Sequence, residues 1–171
     1  MDNYRKDAVC IELHYLPSIP YFALLSGAKY LVIEQHEHYQ KRSFRNKTII
    51  AAANGLLPLG IPLEKGKHQQ QDIKETKIAW GEAWNHRHWQ SIRSAYGNAP
   101  FFEHYAPFFE GIFLKKEQWL FDWILKILQQ IISIIGINID ITFTDKYQKL
   151  LNPEISDVRN SIGPRQLAFP I

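Results

Sequence analysis

Between Ala8 and Gln35 two short apolar runs, AVCIEL and KYLVIEQ, enclose the proline-punctuated segment LPSIPYFALLSG. No other feature constrains the fold of this chain as tightly. Each run has strand length, and Pro17 and Pro20 force irregular backbone between them. Ser18 is placed to N-cap a short helix with Pro20 in its first turn, and Gly27 to end it. Strand, helix and strand within about 30 residues make a βαβ unit. Such a unit sets its strands parallel, with a right-handed crossover.

The rest of the chain adds a hairpin and helices. Thr48–Ala53 and Leu56–Leu63 flank Asn54-Gly55, the dipeptide that tolerates positive φ in a two-residue turn. Pro58 and Pro62 assign the second arm to an edge. EKGKHQQQD reads as a polar surface loop, and IKETKIAW alternates weakly, as one more strand would. Trp84–Tyr96 has helical spacing. Pro100 opens a second helix, which Pro107 is expected to break, and Gln118–Ile137 is a third, with Gly136 as its C-cap. DITFT (140–144) is the last strand. The order predicts a three-layer α/β domain over 1–171: a mixed sheet with a parallel βαβ start, one hairpin and a three-helix segment packed on the sheet.

The Gln118 helix is the one membrane suspect. Its polar residues Asp122, Lys126, Gln129, Gln130 and Ser133 form a single stripe at i, i+4, i+7, i+8 and i+11. Asp, Lys and two Gln are costly in a bilayer, so a nearly buried helix with one wet edge is expected and no transmembrane segment. A net charge of +3 on 171 residues is too weak to call for nucleic acid. The lone Cys10 excludes an internal disulfide and sits in an apolar run, as a core residue would. MDNYRKDAVC has no apolar signal-peptide core, and a reducing, cytoplasmic location is expected.

The chemistry-bearing residues gather after the second strand, in IEQHEHYQKRSFRN (33–46). His36 and His38 lie two apart, so on a strand both imidazoles face one side. Tetrahedral zinc needs a third ligand. His14 ends the first strand, and parallel neighbours would bring it to the same C-terminal sheet edge, where ligands bind in open α/β sheets. The second constellation is Lys41, Arg42, Arg45 and Asn46, whose cationic and amide groups suit a phosphate or a sugar acid. A wet, basic turn accounts for the same residues. His86 and His88 point about 200° apart on a helix and cannot share an ion; His88 also reads as core. G-x-S-x-G, P-loop, Cys-x-x-Cys and H-E-x-x-H patterns are absent from the sequence.

Taken together, IEQHEHYQKRSFRNKTIIAAANG, IPLEK (61–65), HRHWQSIRSAYGNAPFFEHY (86–105), LPSIPYFALL and DVRNSIGPR resemble the WbqC-like family, particularly its Bacteroidetes-type members. The motif positions are His36, Tyr39, Lys41, Arg45, Asn46, Asn54, Gly55, Pro62, His86, His88, Trp89, Tyr96, Pro100, Phe101 and Phe102. The resemblance implies a place in O-antigen or other surface-polysaccharide synthesis, and transfer of an acyl or amino-acyl group to a sugar. It also implies a further C-terminal segment, so a form lacking that segment is expected, with a QLAFPI end that frays or finds a partner.

The expected enzyme uses His36 or His38 as general base. His14, Tyr39, Lys41, Arg42, Arg45, Asn46, His86, His88 and Trp89 bind the ligand, a sugar or nucleotide-sugar, with no metal and no cofactor assigned. Two alternatives stand beside it. One is a non-catalytic sugar-binding module or assembly subunit, with Tyr39, Trp84, Trp89 and Phe102 stacking on sugar rings. The other is a metal-dependent hydrolase built on His14, His36 and His38.

Overall fold

A computed structural model describes residues 7–64, 71–149 and 151–164. Most of the polar loop EKGKHQQQD and the whole QLAFPI end lie outside the described residues.

The βαβ start forms as its sequence requires. Strand β1 (Ala8–Ile11) and strand β2 (Tyr30–Ile33) run parallel, with Ala8 opposite Tyr30 and Ile11 opposite Ile33. Helix α1 (Ile19–Leu25) crosses between them, its Pro in the first turn, and Gly27 takes φ 86° just after it. Near-continuous apolar runs are what parallel strands show when both faces are covered. Strands β5 (Asp140–Phe143) and β6 (Ile155–Asp157) complete a four-stranded, all-parallel sheet of order β5-β2-β1-β6. The three-residue β6 has no apolar run of its own, and the sequence reading missed it.

The hairpin, β3 (Lys47–Ala52) with β4 (Gly55–Gly60), is a separate two-stranded sheet. Its turn lies one residue earlier than Asn54-Gly55 suggests. Ala52 pairs with Gly55, so Ala53-Asn54 is the loop. Neither loop residue has positive φ; Gly55 alone absorbs the reversal, at φ 114°. Pro58 sits in β4 opposite Ile49, tolerated because a two-stranded sheet leaves one edge of each strand unpaired.

IKETKIAW makes no strand. It holds a 3₁₀ turn at Ile73–Glu75, then single bridges Leu63 to Ile78 and Lys77 to Trp119. Helices α2 (Trp84–Tyr96), α3 (Phe102–Leu114) and α4 (Leu120–Ile135) follow. Pro107 does not break α3, which continues through it. Gly136 caps α4 in the left-handed region at φ 69°.

The two sheet faces differ. Val9, Ile11, Leu31 and Ile33 join the main core with Trp123, Ile124, Ile127 and Leu128 of α4 and Leu25 of α1. Ala8, Cys10 and Val32 form a small second cluster, covered by Tyr30, Leu151 and Ile155. No helix among the described residues is long and apolar enough to cross a membrane.

Candidate functional site

Four parallel strands end at one edge of the sheet, and polar residues follow within three positions of each. Glu12 follows β1, Glu34 follows β2, Thr144 follows β5 shortly after Phe143, and Arg159 and Asn160 follow β6. Glu12, Glu34 and Arg45 are each 1 % exposed. Buried charges are tolerated only when paired and hydrogen-bonded.

The pairing is thorough. Arg45 donates from Nε to Glu37 Oε1 at 2.6 Å and from Nη2 to Glu37 Oε2. Its Nη2 also donates to Asn160 Oδ1 at 2.9 Å, and its Nη1 lies 3.8 Å from Glu12 Oε1. Burial works against the Arg45 charge, but the Glu37 and Glu12 carboxylates outweigh it and raise its pKa. Asn160 adopts φ 59°, a left-handed conformation that Asn tolerates better than most residues. Its backbone N–H donates to Glu12 Oε2 at 2.9 Å. Glu34 accepts from Thr144 Oγ1 (2.9 Å), the His36 backbone N–H (2.8 Å) and Arg159 Nη1 (2.8 Å). Arg159 also grips Asp157, whose hydrogen bond holds the guanidinium above its ordinary pKa.

One member of this network keeps a free valence. His14 Nε2–H donates to Glu12 Oε1 at 3.0 Å. Burial pushes the Glu12 carboxyl up. The His14 hydrogen bond, the Arg45 charge and the Asn160 N–H prevail and hold it below the usual carboxylate range. An ionised Glu12 has no proton to give, so Nε2 is the donor in this pair, and in the neutral imidazole the lone pair falls on Nδ1. His14 Nδ1 is buried and has no hydrogen-bond partner.

His14 also lines an apolar cavity of about 930 Å³. The walls come from the α1 approach (Leu16, Pro20), the hairpin (Ile50, Leu56), α2 (Trp89, Ile92) and α3 (Ala106, Phe109). Ser18 lines it too, and its Oγ is likewise buried without a partner. Ser18 stands at the N-cap of α1 yet makes no cap hydrogen bond, which leaves its hydroxyl unused. Between the two, Leu16 is held at φ 47°, a conformation costly for a bulky residue and characteristic of functional sites.

The residues singled out from sequence distribute as follows. His14 and Trp89 reach the cavity wall. Arg45 lies in the buried network, its fork filled by Glu37 and Asn160. Tyr39 Oη donates to Asn46 Oδ1 at 2.9 Å, and Asn46 Nδ2 donates to the Ile61 carbonyl, so both brace the loop. Lys41 and Arg42 are exposed, and the cradle of Lys41, Arg42, Arg45 and Asn46 does not assemble on one face. His36 and His38 are exposed beyond the end of β2, and His38 Nδ1 pairs with Asp72 Oδ1 at 2.9 Å. They are not brought together with the buried His14. Among the described residues no group of three or more His, Cys, Asp or Glu side chains is placed to hold a metal ion. His86 is exposed, whereas His88 is core, its Nδ1 accepting from Tyr15 Oη at 2.9 Å. Burial, first, and Arg87 lower the His88 pKa to about 4. Burial pushes the Cys10 thiol up to about 12, so it is no nucleophile near neutral pH. The sequence pointed to Ser18 only as an N-cap, and it assigned no site role to Glu12, Glu37 or Asn160. The signal for Glu12 and Glu34 was available: a glutamate directly after an apolar strand in each half of the βαβ unit.

Comparison with known proteins gives two matches. Uncharacterized protein Rv1507c of Mycobacterium tuberculosis (strain ATCC 25618 / H37Rv) is 27 % identical over 134 residues, 78 % of this chain and 58 % of that protein. The chain thus spans less than two thirds of that relative's length. No solved structure matches. The model of the WbqC-like protein family matches residues 13–166, which takes in His14, Ser18, the 33–46 stretch, the hairpin, all four helices and Asn160. The chain belongs to the WbqC-like protein family.

Proposed function

We propose that this protein is a cytoplasmic transferase of bacterial surface-polysaccharide synthesis that moves an acyl group from a thioester to a sugar hydroxyl, with His14 as proton acceptor. The observation that carries the reading is the His14–Glu12 pair: a buried imidazole, its Nε2 donating to a carboxylate, with an unpartnered Nδ1 beside a cavity. A histidine held in this way, in its neutral form, presents an oriented acceptor for general-base work. His36 and His38 lack both the burial and the orienting carboxylate, so His14 takes the role expected of them.

In the reaction, the sugar hydroxyl attacks the acyl carbonyl carbon as Nδ1 takes its proton. The new C–O bond forms, the C–S bond breaks, and the proton passes from the imidazolium to the departing thiolate. Ser18 Oγ–H is the donor available to the carbonyl oxygen. The sugar side of the reading draws on the place in polysaccharide synthesis that the family resemblance implies.

The test is turnover of the purified chain with acyl thioesters and nucleotide-sugars, followed by mass spectrometry of the acylated sugar. A His14→Gln variant, which keeps a hydrogen-bonding group but cannot take the proton, should lose about 10²- to 10⁴-fold in kcat with binding retained. Wild-type turnover in His14→Gln overturns the mechanism. Saturable sugar binding with no product in the wild type replaces it with the non-catalytic binding module.

A further inference from the structure

We infer that the cavity beside His14 is a subsite for a long, straight acyl chain, so that the donor is a fatty acyl group rather than an acetyl, formyl or amino-acyl group; the identity of the donor rests on the transferase reading above, but the chain site does not. Leu16, Ile50, Ile92, Phe102, Phe109 and Phe113 are among the side chains around about 930 Å³ of space. This is the upper part of the range in which pockets bury a whole small ligand. Besides His14 and Ser18, only Thr48, Tyr96 and Tyr105 among the described residues bring side-chain hydroxyls to this lining, so polar matter finds few partners there. A sugar ring would leave hydroxyls without partners, and an amino-acyl ammonium would sit desolvated with no carboxylate lining the cavity. A two-carbon acyl group would leave most of the cavity unfilled, and apolar cavities are not stably filled by water.

The ligand must nevertheless carry a polar group. Two buried polar atoms without partners, His14 Nδ1 and Ser18 Oγ, belong to residues of this same lining. Buried polar atoms in folded proteins are almost always paired, so two orphans on residues of one lining are the groups a ligand's polar end can engage once those side chains turn toward it. They supply one acceptor and one hydroxyl donor, enough for a single carbonyl and an approaching hydroxyl. One polar end and an otherwise apolar body describe an acyl chain. Large apolar side chains on the lining are themselves partly open to solvent: Ile19 is 85 % exposed, Leu56 65 % and Ile49 46 %. A cavity whose lining reaches solvent through apolar residues lets a chain enter without crossing a polar barrier.

The experiment is isothermal titration of the full chain with straight-chain acyl-CoA thioesters of two to fourteen carbons, and with the matching free fatty acids. Burial of each added methylene should tighten binding about fourfold until the cavity is full. Ala106→Phe and Ile92→Trp, which add bulk to two different walls, should abolish this dependence while circular dichroism and Tm show a folded protein. Two variants guard against one that fails to fold. Tighter binding of thioesters than of free acids supports an activated donor. Equal binding supports the same chain site with the free acid as its source. Affinity that does not rise with chain length overturns the inference. So does concentration-dependent dimerisation that both variants abolish, because the cavity then belongs to a second copy. Chain-dependent binding without acylated sugar leaves this inference standing and removes the transferase reading. Transfer from a two-carbon donor without chain dependence does the reverse.

Discussion

At Arg45 the planar fork is consumed inside the protein. Glu37 takes two of its donors and Asn160 shares one of them, so the side chain that looked most like an anion ligand is a structural tie. His88 shows the same logic for a histidine. Neutral, it accepts from Tyr15 Oη between aromatic neighbours, and burial there penalises the charged imidazolium. Its folded pKa of about 4 lies below the ordinary histidine value of 6.5, so as pH falls the unfolded chain takes the proton first. Its contribution to stability is therefore complete above about pH 6.5 and is lost as pH falls to about 4, up to about 3 kcal/mol. Urea titrations across this range should show the loss, and His88→Gln, which keeps an acceptor but does not titrate, should flatten that part of the profile.

At the scale of elements, local chemistry was most readable where a single residue type is required. The end of α4 is such a place. Gly136 stands at φ 69°, and a Cβ built there meets nothing within 4 Å. Gly136→Ala should therefore cost conformational strain alone, about 1 kcal/mol, read as a lower urea midpoint with an unchanged m-value. The hairpin turn was less readable, because Asn-Gly supports more than one loop register. Cross-strand pairing, Ile50 with Leu57 and Ala52 with Gly55, chose the one with Ala53-Asn54 as the loop. Pro107 was misjudged for a different reason. Losing one backbone hydrogen bond ends an isolated helix more readily than one that packs Phe102, Phe109 and Phe113 against the core.

Over the whole molecule, the site is assembled from distant segments. Asn160 and Arg45 meet across 115 residues of chain, and Thr144 meets Glu34 across 110. Such a network is expected to respond as a unit. A double-mutant cycle of Arg45→Met with Asn160→Ala should give a coupling of about 1 kcal/mol or more in denaturant unfolding. Additive losses would mean that the two sites act independently, with Asn160 serving only its own turn.

The sequence by itself determined the parallel βαβ start, the helix-forming segments and the apolar character of the strands. These follow from periodicity, proline and glycine, which act within a few residues of where they stand. It also brought His14 into view as the residue at a strand's C-terminal edge. Tertiary structure alone decided that Glu12 would hold His14, that Arg45 would be spent on Glu37 and Asn160, and that β6 would form beside β1. The cavity belongs to the same class, since the hairpin, α2 and α3 each contribute one wall and none encloses it alone. Burial, ion pairing and enclosed space are properties of segments brought together, and local pattern carries no record of which segments will meet.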